Sequence, residues 1–486
     1  MSILDSVDLT IVKAIGFFAV FAWSVTGQNT ASLTIRVTDP VTNVVSGVEI
    51  RLHHPLSGFT RTALTDAAGR AVLTNIPFND YQLTASRDGF ARFDETKSLR
   101  TAVPQFLDLQ LALESRASVV EVRADDTRHF LVDASETGSR HQMNQADIER
   151  LATNVSTRGL ESVLATFPGF AQNANGAIHP RGAHNQMTFV IDGMPISDQL
   201  TGAFANAVDP NIVQTVELFT GNIPAEFGNK VSAVAQVTTK TGIGLGRPFA
   251  GSLLLSGAEP FDTASTVAQA AGELLRHKLG YSVSLSAMKT NRYLDSVSLD
   301  NLNNGGDSQR GFARLDYHHS PRDIFRLNLM QGRSQFDLAN LRSQHANGMD
   351  ASQRLTDQSA AVAWVRTLSP SAIYESNLSW RTSSAFLNPS PGDTPVTAWQ
   401  DRRLSTYTAW NRLSVTHGAH SFRAGVDLQR FPVRERFTFN DVFRFDQAGT
   451  GGLYSAFIQD RVRWQRFQFS LGLRYDVYRF LSRGNQ

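Results

Sequence analysis

From about residue 250 onward, apolar and polar residues alternate with a period of two. Phe467, Phe469, Leu471, Leu473, Tyr475 and Val477 share one face of such a run; Gln468, Ser470, Gly472, Arg474 and Asp476 share the other. Phe422, Ala424, Val426 and Leu428 oppose Ser421, Arg423, Gly425 and Asp427. Tyr281, Val283, Leu285 and Ala287 oppose Ser282, Ser284 and Ser286, and Phe325, Leu327 and Leu329 oppose Arg326 and Asn328. Successive side chains of a strand point to opposite faces, so this is strand periodicity. The runs reach about ten residues or more, and their second face carries Ser, Arg, Asn and Gly rather than the Lys and Glu of a water-facing sandwich. That pattern favours membrane strands with an apolar outside and a polar lumen. Eleven strands are predicted, beginning near Gly251, Thr266, Leu279, Phe312, Ile324, Leu355, Ala372, Leu404, Phe422, Leu453 and Phe467. Short connections near His319-Ser-Pro321, Ser369-Pro370, His417-Gly418 and Gln465 alternate with long ones over 290–308, 333–352, 386–402 and 432–452. Trp364, Trp380, Trp410, Trp464 and Tyr478 fall near strand ends and suit interfacial girdles; core packing is the other reading.

Residues 30–115 show shorter alternating runs: Leu33–Val37, Val48–Leu52, Thr60–Leu64, Ala71–Leu73, Tyr81–Ala85 and Phe106–Leu113. Turn signals at Asp39-Pro40, Ser57-Gly58, Asp66 to Gly69, Pro77 to Asp80 and Asp88-Gly89 separate them, which predicts a β-sandwich of six or seven strands. Tyr81, Leu83 and Ala85 should face its core. His53 and His54 are strand neighbours pointing to opposite faces, so they cannot chelate one ion together and read as surface residues.

Between these regions lies an α+β segment. Ser118 to Ala124 is a β-like run in a polar linker, able either to add to another protein's sheet or to open the next domain's own. Asn144 can cap a first helix bearing Ile148 and Leu151. Asn154 or Ser156 can cap a second bearing Leu160, Val163 and Leu164, which Pro168-Gly169 ends. Three glycine-punctuated strands follow: Met187–Ile191 into the turn Asp192-Gly193, Val213–Phe219 into Thr220-Gly221, and Val231–Thr239. Gly221 and Gly228 mark places where backbone must pass close to backbone. A buried Arg181 would need a carboxylate, with Glu217 and Glu226 as candidates.

Composition narrows the chemistry. The chain has 486 residues and no Cys, which removes thiol catalysis, thiolate metal sites and disulfides. A net charge of +2 argues against a nucleic-acid partner. His417 and His420 form an H-x-x-H pair on an expected tight turn, and no G-x-S-x-G elbow or phosphate loop occurs. No catalytic residue, metal site or cofactor is therefore expected. Ala14 to Gly27 is an apolar stretch after Lys13, too short at about 21 Å to span a bilayer, and reads as an export signal.

Two resemblances give these regions names. Gly47-Val-Glu-Ile-Arg-Leu52 with Gly69-Arg70, Ile76-Pro77, Tyr81-Gln82-Leu83 and Gly89-Phe90 resembles the carboxypeptidase regulatory-like (transthyretin-like) domain, a binding or spacing module. Arg181-Gly182, Ile191-Asp192-Gly193-Met194-Pro195, Val216 to Gly228 and Val234 to Gly242 are similar to the plug of TonB-dependent outer-membrane receptors. That resemblance implies a plug filling a barrel of twenty-two strands. It also implies a TonB box, for which Val119, Val120, Glu121 and Val122 are the candidates. Arg181, Gly182, Asp192, Gly193, Pro195, Glu217, Gly221, Ala225, Glu226 and Gly228 would be structural plug residues.

The expected order is a signal peptide (1–27), the regulatory-like sandwich (28–115), a linker with the box (116–127), the plug (128–245) and a partial barrel (246–486). The implied function is ligand uptake across the outer membrane, energised by TonB, with the sandwich in the periplasm. TonB, membrane lipid and an unidentified extracellular ligand are the implied partners. A non-transporting adhesin or signalling receptor, or an exported enzyme-associated sandwich, is the alternative. Eleven strands are an odd number and make a poor closed barrel, so the reading expects a truncated product.

Overall fold

The computed structural model describes residues 30–54, 59–99, 104–113, 140–151, 157–172, 178–183, 187–196, 208–228, 232–464 and 467–479. The export signal and Val119–Val122 fall outside them. No helix among the described residues is long and apolar enough to cross a membrane.

Seven strands build the sandwich: β1 (Thr30–Thr38), β2 (Glu49–His53), β3 (Thr60–Leu64), β4 (Arg70–Pro77), β5 (Asn79–Ser86), β6 (Phe93–Leu99) and β7 (Gln105–Gln110). One sheet runs β4-β1-β7 and the other β3-β2-β5-β6. Leu33, Ile35, Ile50, Leu52, Tyr81 and Leu83, alternate residues of three strands, fill the space between the sheets. Strand β6 was not expected: Phe93-Asp-Glu-Thr-Lys-Ser-Leu99 carries little apolar signal because it is an edge. His54 corrects the surface reading. It is buried edge-on against Tyr81, with ring centroids 5.7 Å apart.

The plug sheet has the order β12-β11-β14-β13-β8, formed by β8 (Arg140–Asn144), β11 (Met187–Ile191), β12 (Met194–Ile196), β13 (Val213–Phe219) and β14 (Ala233–Thr239). A small β9 (Phe170–Gln172) pairs with β10 (Ile178–Pro180). Asn144 caps the helix Gln145–Glu149 in a reciprocal capping box with Asp147. The helix Leu160–Leu164 starts at Gly159 without a side-chain cap, and packs Leu160, Val163 and Leu164 on Val216, Leu218 and Ala235.

The last eleven strands form one antiparallel meander in which each pairs with the next. They are β15 (Ala250–Ala258), β16 (Thr263–Leu275), β17 (Leu279–Thr290), β18 (Gly306–His318), β19 (Asp323–Asp337), β20 (Ser352–Ser369), β21 (Ala372–Asn388), β22 (Ala398–His417), β23 (His420–Phe439), β24 (Phe443–Trp464) and β25 (Phe467–Arg479). Their starts follow the alternation, but several reach further into the expected long connections. Residues 432–452 are mostly paired strand, with β23 and β24 joined at Asn440 to Val442. Polar Arg434–Asp446 and Arg436–Asp401 pairs hide the alternation there.

The sheet is inside-out relative to a soluble one. Ser284, Arg326, Asn328, Arg423 and Asp427 are buried, whereas Leu285, Leu329, Val426, Leu471 and Leu473 are exposed. An apolar face turned outward is what lipid stabilises. Plug residues bond to β16 (Gln269), β17 (Ser286), β18 (Asp316), β19 (Asn328), β22 (Trp410), β23 (Arg423), β24 (Gln459) and β25 (Arg474). A single sheet that touches one small domain along eight of its eleven strands, from β16 to β25, is curved around it.

Candidate functional site: the plug and its anchors in the barrel wall

The first anchor is built on the hairpin between β11 and β12. Asp192 (φ 45°) and Gly193 (φ 89°) both lie in the left-handed region, the two-residue geometry that suits a right-twisted hairpin. The turn turns the Asp192 carboxylate inward, where every neighbour is a donor. It accepts from Thr239 N (3.1 Å), Thr239 Oγ1 (2.5 Å) and Asn328 Nδ2 (2.7 Å), with Arg314 Nη1 at 3.6 Å. Arg314 donates in bidentate fashion to Asp316 (2.8 and 3.0 Å), and also to Thr239 O at 2.9 Å. Arg326 Nε (3.0 Å) and Thr241 Oγ1 (2.6 Å) complete Asp316. Two buried carboxylates meet two buried guanidiniums, and such a set is tolerated away from water only because each charge is paired and hydrogen-bonded.

Gly193 seats this turn under Trp410, whose Nε1 donates to Gly193 O at 2.7 Å. A Cβ on Gly193 would fall 2.4 Å from Trp410 Cζ2. Gly193→Ala should therefore destabilise plug seating by about 2 kcal/mol, through overpacking and the left-handed backbone. Urea titration followed by the hydrogen exchange of β11 and β12 checks it, and an unchanged midpoint counts against the geometry. Trp410 is a correction to the girdle reading: it is 3% exposed and faces the plug. Trp464, at 61% exposed, fits the outward position.

The second anchor centres on Glu226, in the single turn Ala225–Phe227. Both carboxylate oxygens accept from Arg423 Nη1 (2.8 and 2.7 Å), and Oε2 also accepts from Arg412 Nη1 at 3.2 Å. Gln459 exchanges two further bonds with Glu226, accepting from its backbone N–H and donating to its carboxylate. Arg474 Nη1 donates to the carbonyls of Ala225 and Glu226. Burial works against the charge of Glu226, but the guanidiniums of Arg423 and Arg412 outweigh it and hold the carboxyl below its usual value. Gly228 is a close-approach position, though against a side chain rather than backbone: a Cβ there would overlap Arg474 Nε at 1.7 Å.

The other plug residues read from the sequence divide between core and surface. Glu217 is buried in β13, in register with Gln142 on one side and Gln236 on the other. Arg181 and Gly182 are exposed at a turn with φ of 48° and 81°, so Arg181 makes no buried pair with Glu217 or Glu226. Pro195 lies in β12, and Gly221 in the bend after β13. The barrel partners Arg314, Asp316, Arg412, Arg423 and Trp410 were missed as site residues. Their signal is a charge on the polar face of an alternating strand; their partners depend on how the plug sits. His420 contacts Asp460 at 2.6 Å on the hairpin that the H-x-x-H spacing marked.

Comparison with known proteins agrees with this anatomy. Residues 32–114 match the carboxypeptidase regulatory-like domain, and residues 133–234 match the TonB-dependent receptor plug domain. The TonB-dependent transporter Oar of Myxococcus xanthus is 28% identical over 191 residues, covering 37% of this chain and 18% of that protein. The ferric enterobactin receptor PfeA of Pseudomonas aeruginosa shares the fold with a TM-score of 0.56 at 14% identity, over 71% of this chain and 58% of that one. The siderophore receptor PirA of Acinetobacter baumannii does so with 0.55 at 15%, over 70% and 56%. The chain thus spans a little over half the length of these solved receptors and less than a fifth of the curated relative. These relatives are transporters and receptors rather than enzymes. Plug match, domain order and shared plug-and-barrel fold make this chain similar to TonB-dependent outer-membrane receptors, with a match to the carboxypeptidase regulatory-like domain ahead of the plug.

Proposed function

We propose that the chain takes part in uptake of a ligand across the outer membrane, driven by TonB pulling on Val119–Val122. The observation that carries this reading is the concentration of plug–wall charge in two anchors, Asp192 with Arg314 and Glu226 with Arg412 and Arg423. A plug fixed at a few discrete ionic points can rearrange by breaking those points while the wall stays intact. The ligand would arrive from the side of the longer loops, where plug residues Ile196 and Asp209 face barrel residues Arg310, Asp357 and Arg381.

A photoreactive residue within Val119–Val122 should cross-link to the periplasmic domain of TonB, and Val120→Pro should not be tolerated by strand addition. The cleaner comparison places the photoreactive group at Val122 with and without Val120→Pro, expecting at least a tenfold loss of adduct. Absence of any adduct in the unmodified run would overturn the assignment of the box.

A further inference from the structure

The sandwich does more than precede the plug, because its surface is interlocked with the seam between plug and barrel. Strand β4 breaks register with β1 between the pairs Leu33–Leu73 and Ala31–Ile76, so Thr74 and Asn75 bulge outward. Asn75 adopts φ 57°, a conformation Asn tolerates better than most residues, and is 4% exposed. Its Nδ2 donates to Thr239 O (3.2 Å) and Gln214 Oε1 (3.4 Å), and its carbonyl accepts from Gln214 Nε2 (3.1 Å). Its Oδ1 accepts from Arg314 Nη2 at 3.2 Å, the same guanidinium that faces Asp192. One sandwich residue is thereby bonded to plug and barrel together. Four residues on, Asn79 Nδ2 donates to Gln142 Oε1 of β8 at 3.2 Å, while Phe78 between them packs on Ile373 of the barrel. Arg61 Nη2 donates to Ile243 O at 3.1 Å at the edge of the same contact.

Strand β8 is the edge of the plug sheet, paired there with β13 alone, and it is the first described plug element after residue 113. A pull along 114–139 reaches it before any other plug strand. We propose that the β4–β5 corner of the sandwich is a clamp on the plug: docked, it holds β8 and the β13–β14 end of the sheet against the barrel, and the plug rearranges only after this corner withdraws. A mere spacer gains nothing from burying Asn75, Asn79 and Gln214 and half-burying Gln142, each of which loses water and needs a partner across the seam. The proposal rests on the reading that the plug moves, but the holding action itself can be measured without TonB or ligand.

The test is hydrogen exchange of the full chain in outer-membrane vesicles. Asn75→Gly keeps the left-handed backbone and deletes the side-chain bonds; combined with Asn79→Ser it should speed exchange of β8 amides at least fivefold while β1 and β2 amides stay as slow as before. Because the natural chain has no Cys, Asn79→Cys with Gln142→Cys supplies its only thiols. The two amides meet tip to tip, so a short cleavable bis-maleimide rather than a direct disulfide bridges the pair; bridging should slow β8 exchange, and cleaving the bridge should restore it. Unchanged β8 exchange in the Asn75→Gly, Asn79→Ser protein, or equal exchange in the bridged and cleaved pair, would overturn the clamp. Loss of TonB cross-linking with these exchange effects intact would sink the transport reading and leave the clamp standing.

Discussion

Replacing Glu226 with alanine is expected to weaken plug seating by about 3 kcal/mol, the low end of what removing one partner of a buried ion pair costs. Arg423 and Arg412 would keep their burial and lose the carboxylate both donate to. The low end applies because substitutes are near. Glu375 Oε2 lies 3.8 Å from Arg423, and Asp427 Oδ1 lies 4.0 Å from Arg412. Glu226→Gln keeps one oxygen to accept from Arg423 and Gln459 but sets its amide N–H groups against Arg412, so it should cost about as much as alanine. Urea titration read by exchange of β13 and β14 amides orders the variants; equal midpoints for alanine, glutamine and wild type would show that the anchor holds nothing. A double-mutant cycle with Arg423→Met then isolates the pair from general loss of packing.

The same anchor fixes a pH dependence. Glu226 has its folded-state value lowered below 4.5, burial opposing the charge and Arg423 and Arg412 prevailing. A depressed carboxyl contributes stability that is present in full above the unfolded value and lost as pH falls through the folded one. Plug seating should therefore be flat above about pH 5 and loosen in acid, and Glu226→Gln should remove that acid limb.

What the sequence made legible, and what it hid, follows from range. The β11, β13 and barrel alternations are local signals, and they placed eight of the eleven barrel starts within three residues; Phe312, Leu404 and Leu453 instead lie six to ten residues inside β18, β22 and β24, whose first residues are polar or irregular in pattern. The Asp192-Gly193 turn was readable because it too is local. Strands β6 and β8 were not: Phe93–Leu99 is a polar edge, and Arg140-His-Gln-Met-Asn144 becomes a strand only because β13 offers it an edge. The anchors were hidden more deeply. Arg314, Asp316, Arg412 and Arg423 look like ordinary lumen residues of their strands, and nothing near them in sequence shows that Asp192 or Glu226 will face them. Arg181 misled because its neighbours are family motif residues, whereas its own turn lies at the surface. Asn75 gave no signal at all, because a bulge and a partner more than a hundred residues away create its role.

Asp192→Asn is expected to cost about 3–5 kcal/mol, more than Glu226→Ala, although it removes no atoms. The reason lies in what surrounds the carboxylate. Thr239 N–H, Asn328 Nδ2 and Arg314 Nη1 can only donate, and the Thr239 hydroxyl already accepts from Arg314. An amide keeps one accepting oxygen and sets its own donors where the other stood, leaving one or two of these buried donors without an acceptor at about 1–3 kcal/mol each. Loss of attraction to Arg314 is the smaller part, since Asp316 still grips that guanidinium through two bonds. Backbone strain does not enter, because Asn accepts the φ of 45° as readily as Asp does. Asp192→Gly separates the causes further: it relieves φ, deletes every acceptor and admits water to the vacated space, so it should fall between wild type and Asn. The ranking wild type, Gly, Asn, read from urea midpoints of the β11 and β14 amides, distinguishes donor crowding from simple loss of a contact. Were Asn to prove as stable as wild type, the Thr239 hydroxyl would have to be turning to accept, and Asp192 would be a capping residue rather than the point that joins plug and wall.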